Sequence, residues 1–375
     1  MEHYLDNAAT TKVCPEAAEA AVRAMTEIYG NPSSTHTLGR SAKRMVDEAR
    51  RSVALSLGCK AEELIFTSCG SESDNWAILS GAEYNKRKGR HVISSMVEHD
   101  AVRRSLDILE QNGYEVTRLK PEKDGSISVG AVKEALRPDT ILVSLMMVNN
   151  ETGGVTDIEA IARLLKQEKS AALLHTDAVQ AFLKIPFKAK TLGADLISIS
   201  GHKIHAPKGI GALYIRDGLH LKPFLVGGSQ ENGRRAGTEA ASQIAAFGAA
   251  CEAERSAGDC IGRMQKLKEE AKQKLSAALP EIRIIDSAAP HILSISLPGW
   301  RSEVLMNYLE AKEIYVSKSS ACKKGGRSHV LEAIGLDSRT IDGAIRIGLS
   351  RYSTEDDIDA LCAGLSSACG SLAHR

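Results

Sequence analysis

Short β-rich runs alternate with helical patterns between Leu64 and about Ile215, and this alternation constrains the fold more than any other feature of the sequence. Runs with the aliphatic and β-branched composition of buried strands cover residues 64–67, 91–94, 141–145, 172–175 and 196–199. Strands separated by helices form a mainly parallel sheet with helices on both faces. The sequence therefore predicts an α/β fold.

Polar residues follow each predicted strand. They are Ser68, Ser95, Asn149 with Asn150, Asp177, and Ser200 with His202 and Lys203. In open α/β sheets, ligands bind beyond the carboxyl ends of the strands. We therefore expect these strand ends to converge on one site.

The pattern changes after about Gly248, where a long charged helix precedes strand-like residues 292–296 and further helical segments. At 375 residues, the chain exceeds the roughly 100–200 residues typical of one domain. We predict a large domain at residues 13–254 and a smaller α+β domain formed by residues 1–12 and 255–375.

The charge balance gives no indication of a polyanionic partner. Lys plus Arg number 48 and Asp plus Glu 47, so no overall field favours nucleic acid or an anionic membrane. The first residues lack the features of a secretory signal, and no apolar run approaches the ~18 residues of a membrane span. We expect a cytoplasmic protein with reduced cysteines that acts on small molecules. The eight cysteines lack a paired C-x-x-C spacing, which argues against a zinc site.

Two of the strand ends indicate a cofactor. Lys203 follows the run 196–199, and Asp177 follows the run 172–175. A lysine forms a Schiff base with pyridoxal phosphate, while a carboxylate keeps the pyridine nitrogen protonated so that the ring accepts electrons. A lone lysine beyond a strand is more often a solvated turn residue. The combination with Asp177 favours pyridoxal phosphate.

Residues 67–74, Thr-Ser-Cys-Gly-Ser-Glu-Ser-Asp, follow a strand and open a helix. They offer free amides and hydroxyls at the positive end of the helix dipole, where a phosphate binds well. Ser71 and Asp74 also fit a capping box, and capping alone is the simpler interpretation of the motif.

Ordered motifs run along nearly the whole chain. They include Leu5-Asp6-Asn7-Ala8-Ala9-Thr10-Thr11, Glu98-His99, Asn149-Asn150-Glu151, Ser200-Gly201-His202-Lys203, Ser319-Ser320-Ala321-Cys322 and Ala344-Ile345-Arg346. Together they resemble the class V aminotransferase-like pyridoxal-phosphate enzymes and, among these, the cysteine desulfurases. The resemblance implies a fold-type I transferase with a seven-stranded, mainly parallel sheet in the cofactor-binding domain. The smaller domain then carries the cysteine loop.

The resemblance also implies which residues surround the cofactor ring. Lys203 forms the Schiff base, Asp177 binds the pyridine nitrogen and Gln180 binds the ring hydroxyl. His99 stacks on the ring and handles the substrate thiol proton, although a histidine there could simply start a helix.

The phosphate and the substrate carboxylate have implied partners as well. Gly70, Ser71, Ser200 and His202 hold the phosphate, and Thr238 joins them from the neighbouring subunit of a homodimer. Thr238 could instead cap a helix. Asn150 lies beside the cofactor and the substrate carboxylate. Arg346 binds that carboxylate, as its bidentate guanidinium allows, with Arg351 as the alternative.

Cys322 is the candidate nucleophile. Residues 316–327 contain small residues, two glycines and four cations, which predict an exposed, mobile loop. Nearby positive charge lowers a thiol pKa, and the resulting thiolate attacks the sulfur of L-cysteine. The expected products are alanine and a persulfide on Cys322 for a sulfur-acceptor protein, in iron-sulfur assembly or tRNA thiolation. Cys69, inside the phosphate loop, could itself be reactive, although we expect it to pack in the core.

The chain after Cys322 departs from the family pattern. The stretch between Cys322 and Ser328 is about two residues shorter than the commonest form and contains Lys323-Lys324-Gly325-Gly326, which leaves the reach of the loop and the choice of partner open.

Other functions stay open at this point. Selenocysteine lyase, or another class V reaction, uses the same cofactor, although transamination needs no mobile thiol. A non-catalytic sulfur-carrier scaffold has no need for Lys203, Asp177 and Arg346 together. A metal hydrolase built on His202 and His205 lacks an evident third ligand, so we expect no metal.

Overall fold

The computed structural model describes residues 2–318 and 327–371. The strands are β1 (His3–Tyr4), β2 (Leu64–Thr67), β3 (His91–Ser95), β4 (Glu115–Leu119), β5 (Thr140–Ser144), β6 (Leu173–Asp177), β7 (Leu196–Ser200), β8 (Gly211–Ile215), β9 (Arg283–Ile285), β10 (Ile292–Ser296), β11 (Ile314–Tyr315), β12 (Ser317–Lys318) and β13 (Ala344–Gly348).

The α-helices of the described residues are α1 (Pro15–Thr26), α2 (Thr37–Leu57), α3 (Gly70–Asn85), α4 (Asp100–Gln111), α5 (Val129–Ala135), α6 (Ile158–Gln167), α7 (Ala189–Leu192), α8 (Ala241–Ser256), α9 (Cys260–Ala278), α10 (Ser302–Glu310), α11 (His329–Ala333), α12 (Ser338–Asp342) and α13 (Glu355–Ser371).

A seven-stranded sheet forms the centre of the larger part of the chain, in the order β2-β8-β7-β6-β5-β3-β4. Strand β8 is antiparallel to both neighbours, and the other pairs are parallel. The prediction of a mainly parallel, seven-stranded α/β fold is confirmed. The five predicted runs form β2, β3, β5, β6 and β7.

Both faces of this sheet are covered, which explains why its inner strands are almost continuously apolar. On one face, α3 and α4 pack over a core that includes Trp76, Leu106 and Leu213. On the other face, a second core joins the sheet to α1, α2, α6 and α8. The strands are therefore held between two apolar cores, and this fixes the positions of the residues that follow each strand.

A smaller antiparallel sheet, in the order β12-β13-β10-β9, lies in the C-terminal part of the chain. Its core includes side chains of α9, α10 and α13 and is separate from the two cores of the larger sheet. The N-terminal strand β1 pairs with β11 and so belongs to this part. Helix α8 ends at Ser256 and α9 begins at Cys260, near the predicted boundary; the division into domains stays a prediction.

None of the helices in residues 2–318 and 327–371 is long and apolar enough to cross a membrane.

Candidate active site

A cavity of about 330 Å³ lies at the carboxyl ends of β5, β6 and β7, within the usual size range of small-molecule sites. Predicted site residues that line it are Gly70, Ser71, His99, Asn150, Asp177, Gln180, Ser200, His202, Lys203 and Arg346. Residues distant in sequence therefore meet in one place, as the strand-end pattern predicts.

Lys203 ends a short 3-10 turn, Gly201–Lys203, directly after β7. Its Nζ donates hydrogen bonds to the carbonyl oxygens of Ala8 and Ala9, each at 2.7 Å. Burial of the amine, together with the positive charges of Arg346 and Lys184, lowers its pKa to about 7. A large fraction of this amine is therefore neutral, and nucleophilic, at neutral pH.

Asp177 is the last residue of β6 and is buried. Its Oδ1 accepts a hydrogen bond from the Val179 amide at 2.9 Å. Burial raises the pKa of Asp177, while the charges of His99 and Lys203 act in the opposite direction. A buried carboxylate of this kind is stabilised by a cationic partner, and a protonated pyridine nitrogen supplies one.

His99 is the N-cap residue of α4, and its Nδ1 accepts a hydrogen bond from the Ala101 amide at 3.1 Å. Because Nδ1 accepts, the neutral imidazole carries its proton on Nε2. His99 therefore both starts helix α4 and lines the cavity. The capping hydrogen bond fixes the tautomer of its ring.

The first turn of α3 and the end of β7 form a small polar cradle. The hydroxyl of Ser200 is buried and has no hydrogen-bond partner among the described residues. A Cβ at Gly70 would lie 2.8 Å from Val179 Cγ2, so a larger residue at this turn would force the Val179 side chain to move. Burial and the charge of Lys203 lower the pKa of His202 to about 4, which keeps its ring neutral. The helix N-terminus thus supplies the field for a phosphate, and Ser200 supplies a free hydroxyl.

The capping-box interpretation of Ser71 and Asp74 is wrong. The N-cap of α3 is Cys69, with no side-chain capping bond, and Ser71 is the second residue of the helix. Asp74 is 1 % exposed and lines the cavity instead. The register of the helix turns Asp74 inward, so that its carboxyl cannot reach the end of the helix.

The expectation that Cys69 packs in the core is also wrong. The residue is half-buried and lines the cavity. It occupies the extended N-cap position between β2 and α3, at the end of the sheet and outside its apolar layer.

Arg346, in the middle of β13, is almost completely buried. Its guanidinium donates to the carbonyl oxygen of Asn150 at 2.8 Å, to Ser317 Oγ at 2.8 Å and to Asp6 Oδ1 at 3.1 Å. Its Nε has no partner among the described residues. Arg351, the alternative, is outside the cavity lining and pairs with Glu254 at 3.4 Å.

The Gln180 side chain joins the N-terminal segment to the cavity. Its Nε2 donates to the Ala8 carbonyl oxygen at 2.8 Å, while its buried Oε1 has no partner in the described part of the chain. An unsatisfied buried oxygen is costly, so it favours a ligand that donates a proton, such as a ring hydroxyl.

Two predicted residues are not part of this arrangement. Thr238 is exposed and is absent from the cavity lining of its own chain; its role across a subunit interface stays a prediction. Cys322 lies outside the described residues.

Sequence reasoning missed several cavity residues. Asp74, Glu98, Glu151, Arg103 and His329 all line the cavity. Glu98 accepts bonds from Ser95 Oγ at 2.5 Å and from the Met146 amide, and burial raises its pKa to about 8. Glu98 and Glu151 stand inside recognised motifs, which was an available signal. His329 is remote from every predicted strand end.

Within residues 2–318 and 327–371, no group of three or more His, Cys, Asp and Glu side chains is arranged to hold a metal ion.

Comparison with known proteins identifies the family. The model for "Aminotransferase class-V" matches residues 3–361. The chain is 43% identical over 362 residues to a "Cysteine desulfurase" of Nostoc sp., covering 95% of this chain and 90% of that protein. It is 40% identical to a "Cysteine desulfurase IscS" of Methanosarcina thermophila, covering 95% of this chain and 89% of the relative.

Solved structures are similar as well. A "NIFS-LIKE PROTEIN" has a TM-score of 0.92 at 35% identity, covering 99% of this chain and all of the other. The structure called "SspA in complex with cysteine" has a TM-score of 0.82 at 31% identity, covering 94% of this chain and 100% of that one.

Enzymes of this kind use pyridoxal phosphate, and the residues present fit that group. Lys203 supplies the amine, Asp177 the carboxylate, and Ser200 and Gln180 the unsatisfied polar atoms. Gly70 opens helix α3 at the cavity, where the N-terminal amides of the helix suit an anion. With the family model matched over residues 3–361 and these groups in one cavity, the chain belongs to the aminotransferase class-V family.

Proposed function

We propose that the protein is a pyridoxal-phosphate-dependent cysteine desulfurase, which converts L-cysteine to L-alanine and transfers the sulfur to Cys322 as a persulfide. The observation that carries this proposal is the meeting of Lys203, Asp177 and Arg346 in one cavity, in a chain 43% identical to a named cysteine desulfurase. A sulfur-carrier scaffold would have no use for this combination.

When bound, pyridoxal phosphate supplies the electron sink that stabilises a carbanion at the substrate α-carbon. Lys203, with its lowered pKa of about 7, is suited to take the α-proton and return it. Asp177 would hold the positive charge on the ring nitrogen. The N-terminus of α3 and the Ser200 hydroxyl would hold the phosphate.

Arg346 is the proposed partner of the substrate carboxylate. Its present partners are a carbonyl oxygen, a hydroxyl and the half-buried Asp6, and its Nε is free among the described residues. A guanidinium can therefore receive the carboxylate without leaving an uncompensated charge.

The sulfur transfer needs a proton acceptor and a nucleophile. His99, fixed by its bond to Ala101 N, is the proposed group for the substrate thiol proton. The Cys322 thiolate then attacks the substrate sulfur. A sulfur–sulfur bond forms, the carbon–sulfur bond breaks, and its electron pair stays with the carbon fragment, which takes up a proton to become alanine.

We further propose a homodimer in the cytoplasm that passes the persulfide to an acceptor protein. Consecutive apolar side chains at Phe224, Leu225 and Val226 are exposed, and Val226 is 83% exposed, which supports an interface on this segment. The exposed Thr238 lies in the same stretch of chain. We retain residues 13–254 as the cofactor domain, with residues 1–12 and 255–375 as the smaller one.

The direct test is product formation. Protein loaded with pyridoxal phosphate is incubated with L-cysteine and a reductant, and the amounts of alanine and sulfide formed are quantified. The proposal predicts equal amounts, which Cys322→Ala abolishes and Cys369→Ser, remote on α13, leaves unchanged. If the loaded wild type forms neither product, the proposed reaction is wrong.

A further inference from the structure

A second buried carboxyl group interacts electrostatically with Asp177 and has no part in the mechanism above. Asp74 lies in the second turn of α3, is 1 % exposed and lines the same cavity. A buried carboxyl beside another buried carboxylate is costly unless one of them carries a proton. The surroundings of Asp74 show how this cost is avoided.

Asp74 faces the side of β6 and β7 that carries Asp177. Its Oδ1 lies 3.6 Å from His175 Nε2 and has no hydrogen-bond donor among the described residues. His175 precedes Asp177 by two residues, so both side chains lie on one face of the sheet. Ser198 is the pairing partner of Asp177 on β7, and its hydroxyl interacts with Asp74.

A chain of hydrogen bonds continues from these groups into the core. His175 Nε2 lies 3.0 Å from Ser198 Oγ, and His175 Nδ1 lies 2.8 Å from Ser144 Oγ. Burial lowers the pKa of His175 to about 3, so its ring is neutral, with one nitrogen donating and the other accepting. The chain can therefore run in either of two directions.

The direction depends on whether Asp74 carries a proton. An ionised Asp74 needs Ser198 to donate to it and His175 to donate from Nε2. A protonated Asp74 donates to Ser198, Ser198 donates to Nε2, and Nδ1–H donates to Ser144. Both arrangements satisfy Ser198 and His175, so the chain itself tolerates either state.

The surrounding charges decide between these arrangements. Burial raises the pKa of Asp74 well above its usual range, and the negative charge of Asp177 acts in the same direction, whereas the hydrogen bond with Ser198 acts in the opposite direction. The unsatisfied Oδ1 is also less costly on a neutral carboxyl than on a carboxylate.

We propose that Asp74 is a positioning residue that stays protonated and donates into the Ser198–His175–Ser144 chain, so that Asp177 alone presents a negative charge to the ring nitrogen. This inference rests on the proposed function for its cofactor. In this role Asp74 acts on the reaction only through Asp177, from which it keeps a second charge and water away.

Two substitutions separate this role from a charged one. Asp74→Asn keeps a neutral side chain that can donate to Ser198, whereas Asp74→Ala removes the donor and opens space beside Asp177. The full-length proteins are titrated with pyridoxal phosphate, and the visible absorption of the bound cofactor is followed from pH 6 to pH 9. If Asp74 had a purely structural role, its substitution would not change the pH midpoint of the absorption change of the bound cofactor.

We expect Asp74→Ala to weaken cofactor binding about tenfold and to shift the absorption midpoint, because Asp177 becomes solvated. Asp74→Asn should restore the affinity to within about threefold and the midpoint to within about 0.3 pH unit. A midpoint in Asp74→Asn that differs by about one pH unit or more would show that Asp74 is charged and would overturn the proposal.

An infrared measurement on the apoprotein keeps the test decisive if Asp74→Ala does not fold. The difference spectrum between wild type and Asp74→Asn at pH 7 should contain the carbonyl stretch of a protonated carboxyl. A carboxylate band in its place contradicts the proposal. Neither readout needs turnover, so a protein that binds the cofactor but does not desulfurate cysteine would refute the proposed function and still decide the role of Asp74.

Discussion

The Nζ atom of Lys203 lies 2.7 Å from the carbonyl oxygen of Ala8, more than 190 residues earlier in the chain. Ala9 offers a second carbonyl at the same distance. The segment that follows β1 therefore completes the site, because its carbonyl oxygens accept the hydrogen bonds of the Lys203 amine until that amine reacts with the cofactor. Gln180 also donates to the Ala8 carbonyl oxygen and so helps to hold the same segment in place.

Lys203 should react with pyridoxal phosphate at unusually low pH. Its pKa of about 7, lowered by burial and by Arg346, lies far below the value of about 10.4 of an ordinary lysine. Only the neutral amine is a nucleophile, so the rate of cofactor incorporation into apoprotein should rise up to about pH 7 and then level off. Stopped-flow absorption at several pH values measures it. A rate that still rises tenfold per pH unit near pH 9 would show an unperturbed lysine.

Arg346 should matter far more for the substrate than Arg351. Arg346→Lys loses the bidentate fork, and we expect kcat/KM for L-cysteine to fall about 100-fold, mainly through KM. Arg351→Lys is the matched control, because this residue pairs with Glu254 and is outside the cavity lining. Steady-state kinetics with L-cysteine measures kcat and KM of both variants. Equal losses of kcat/KM in the two variants would show that Arg346 does not bind the substrate carboxylate.

His99 should contribute to chemistry, whereas a second capping histidine should not. His99→Asn keeps a capping group but removes the imidazole, and kcat should fall about 100-fold, as expected for a lost proton-transfer group. His36 is an exposed N-cap residue of α2 whose Nδ1 accepts from Gly39 N at 3.3 Å. His36→Asn should leave kcat unchanged. If the His99→Asn enzyme kept full kcat, the only role of His99 would be to cap helix α4.

Glu98 should make the apoprotein less stable as the pH rises. Burial raises its pKa from 4.5 to about 8, so the folded state holds the proton more tightly than the unfolded state. Its contribution is complete below about pH 4.5 and is lost as the pH approaches 8, at up to about 1.4 kcal/mol per pH unit relative to Glu98→Gln.

Urea unfolding of wild type and Glu98→Gln between pH 5 and pH 9 measures this difference. Glu252→Gln, an exposed change on α8, should show no such trend. A wild-type-to-Glu98→Gln difference that stays constant with pH would mean that Glu98 is ionised throughout.

The strand ends were predictable because the signal is local. An apolar run buried on both faces and followed by a polar residue identifies β6 with Asp177 and β7 with Lys203. Strands β4 and β8 gave weaker signals. Strand β4 is a partly exposed edge strand, and β8 returns antiparallel after a turn rather than after a helix.

Asp74 could not be placed correctly from the sequence. Helix α3 is buried on most of its surface, with Ser73, Ile78 and Ser80 also inside, so no apolar stripe distinguishes its inner face. A polar residue near a helix start then resembles a cap. The same limit applies to His329, whose place in the cavity depends on tertiary packing and on no local pattern.

The most direct test of the account is a single turnover without reductant. Protein loaded with pyridoxal phosphate receives less than one equivalent of L-cysteine, is alkylated, digested and examined by mass spectrometry, while alanine is quantified in the same sample. We predict one alanine per cysteine consumed and one additional sulfur atom on the peptide that contains Cys322. Alanine formed with the additional sulfur on another cysteine, such as Cys69, would contradict it.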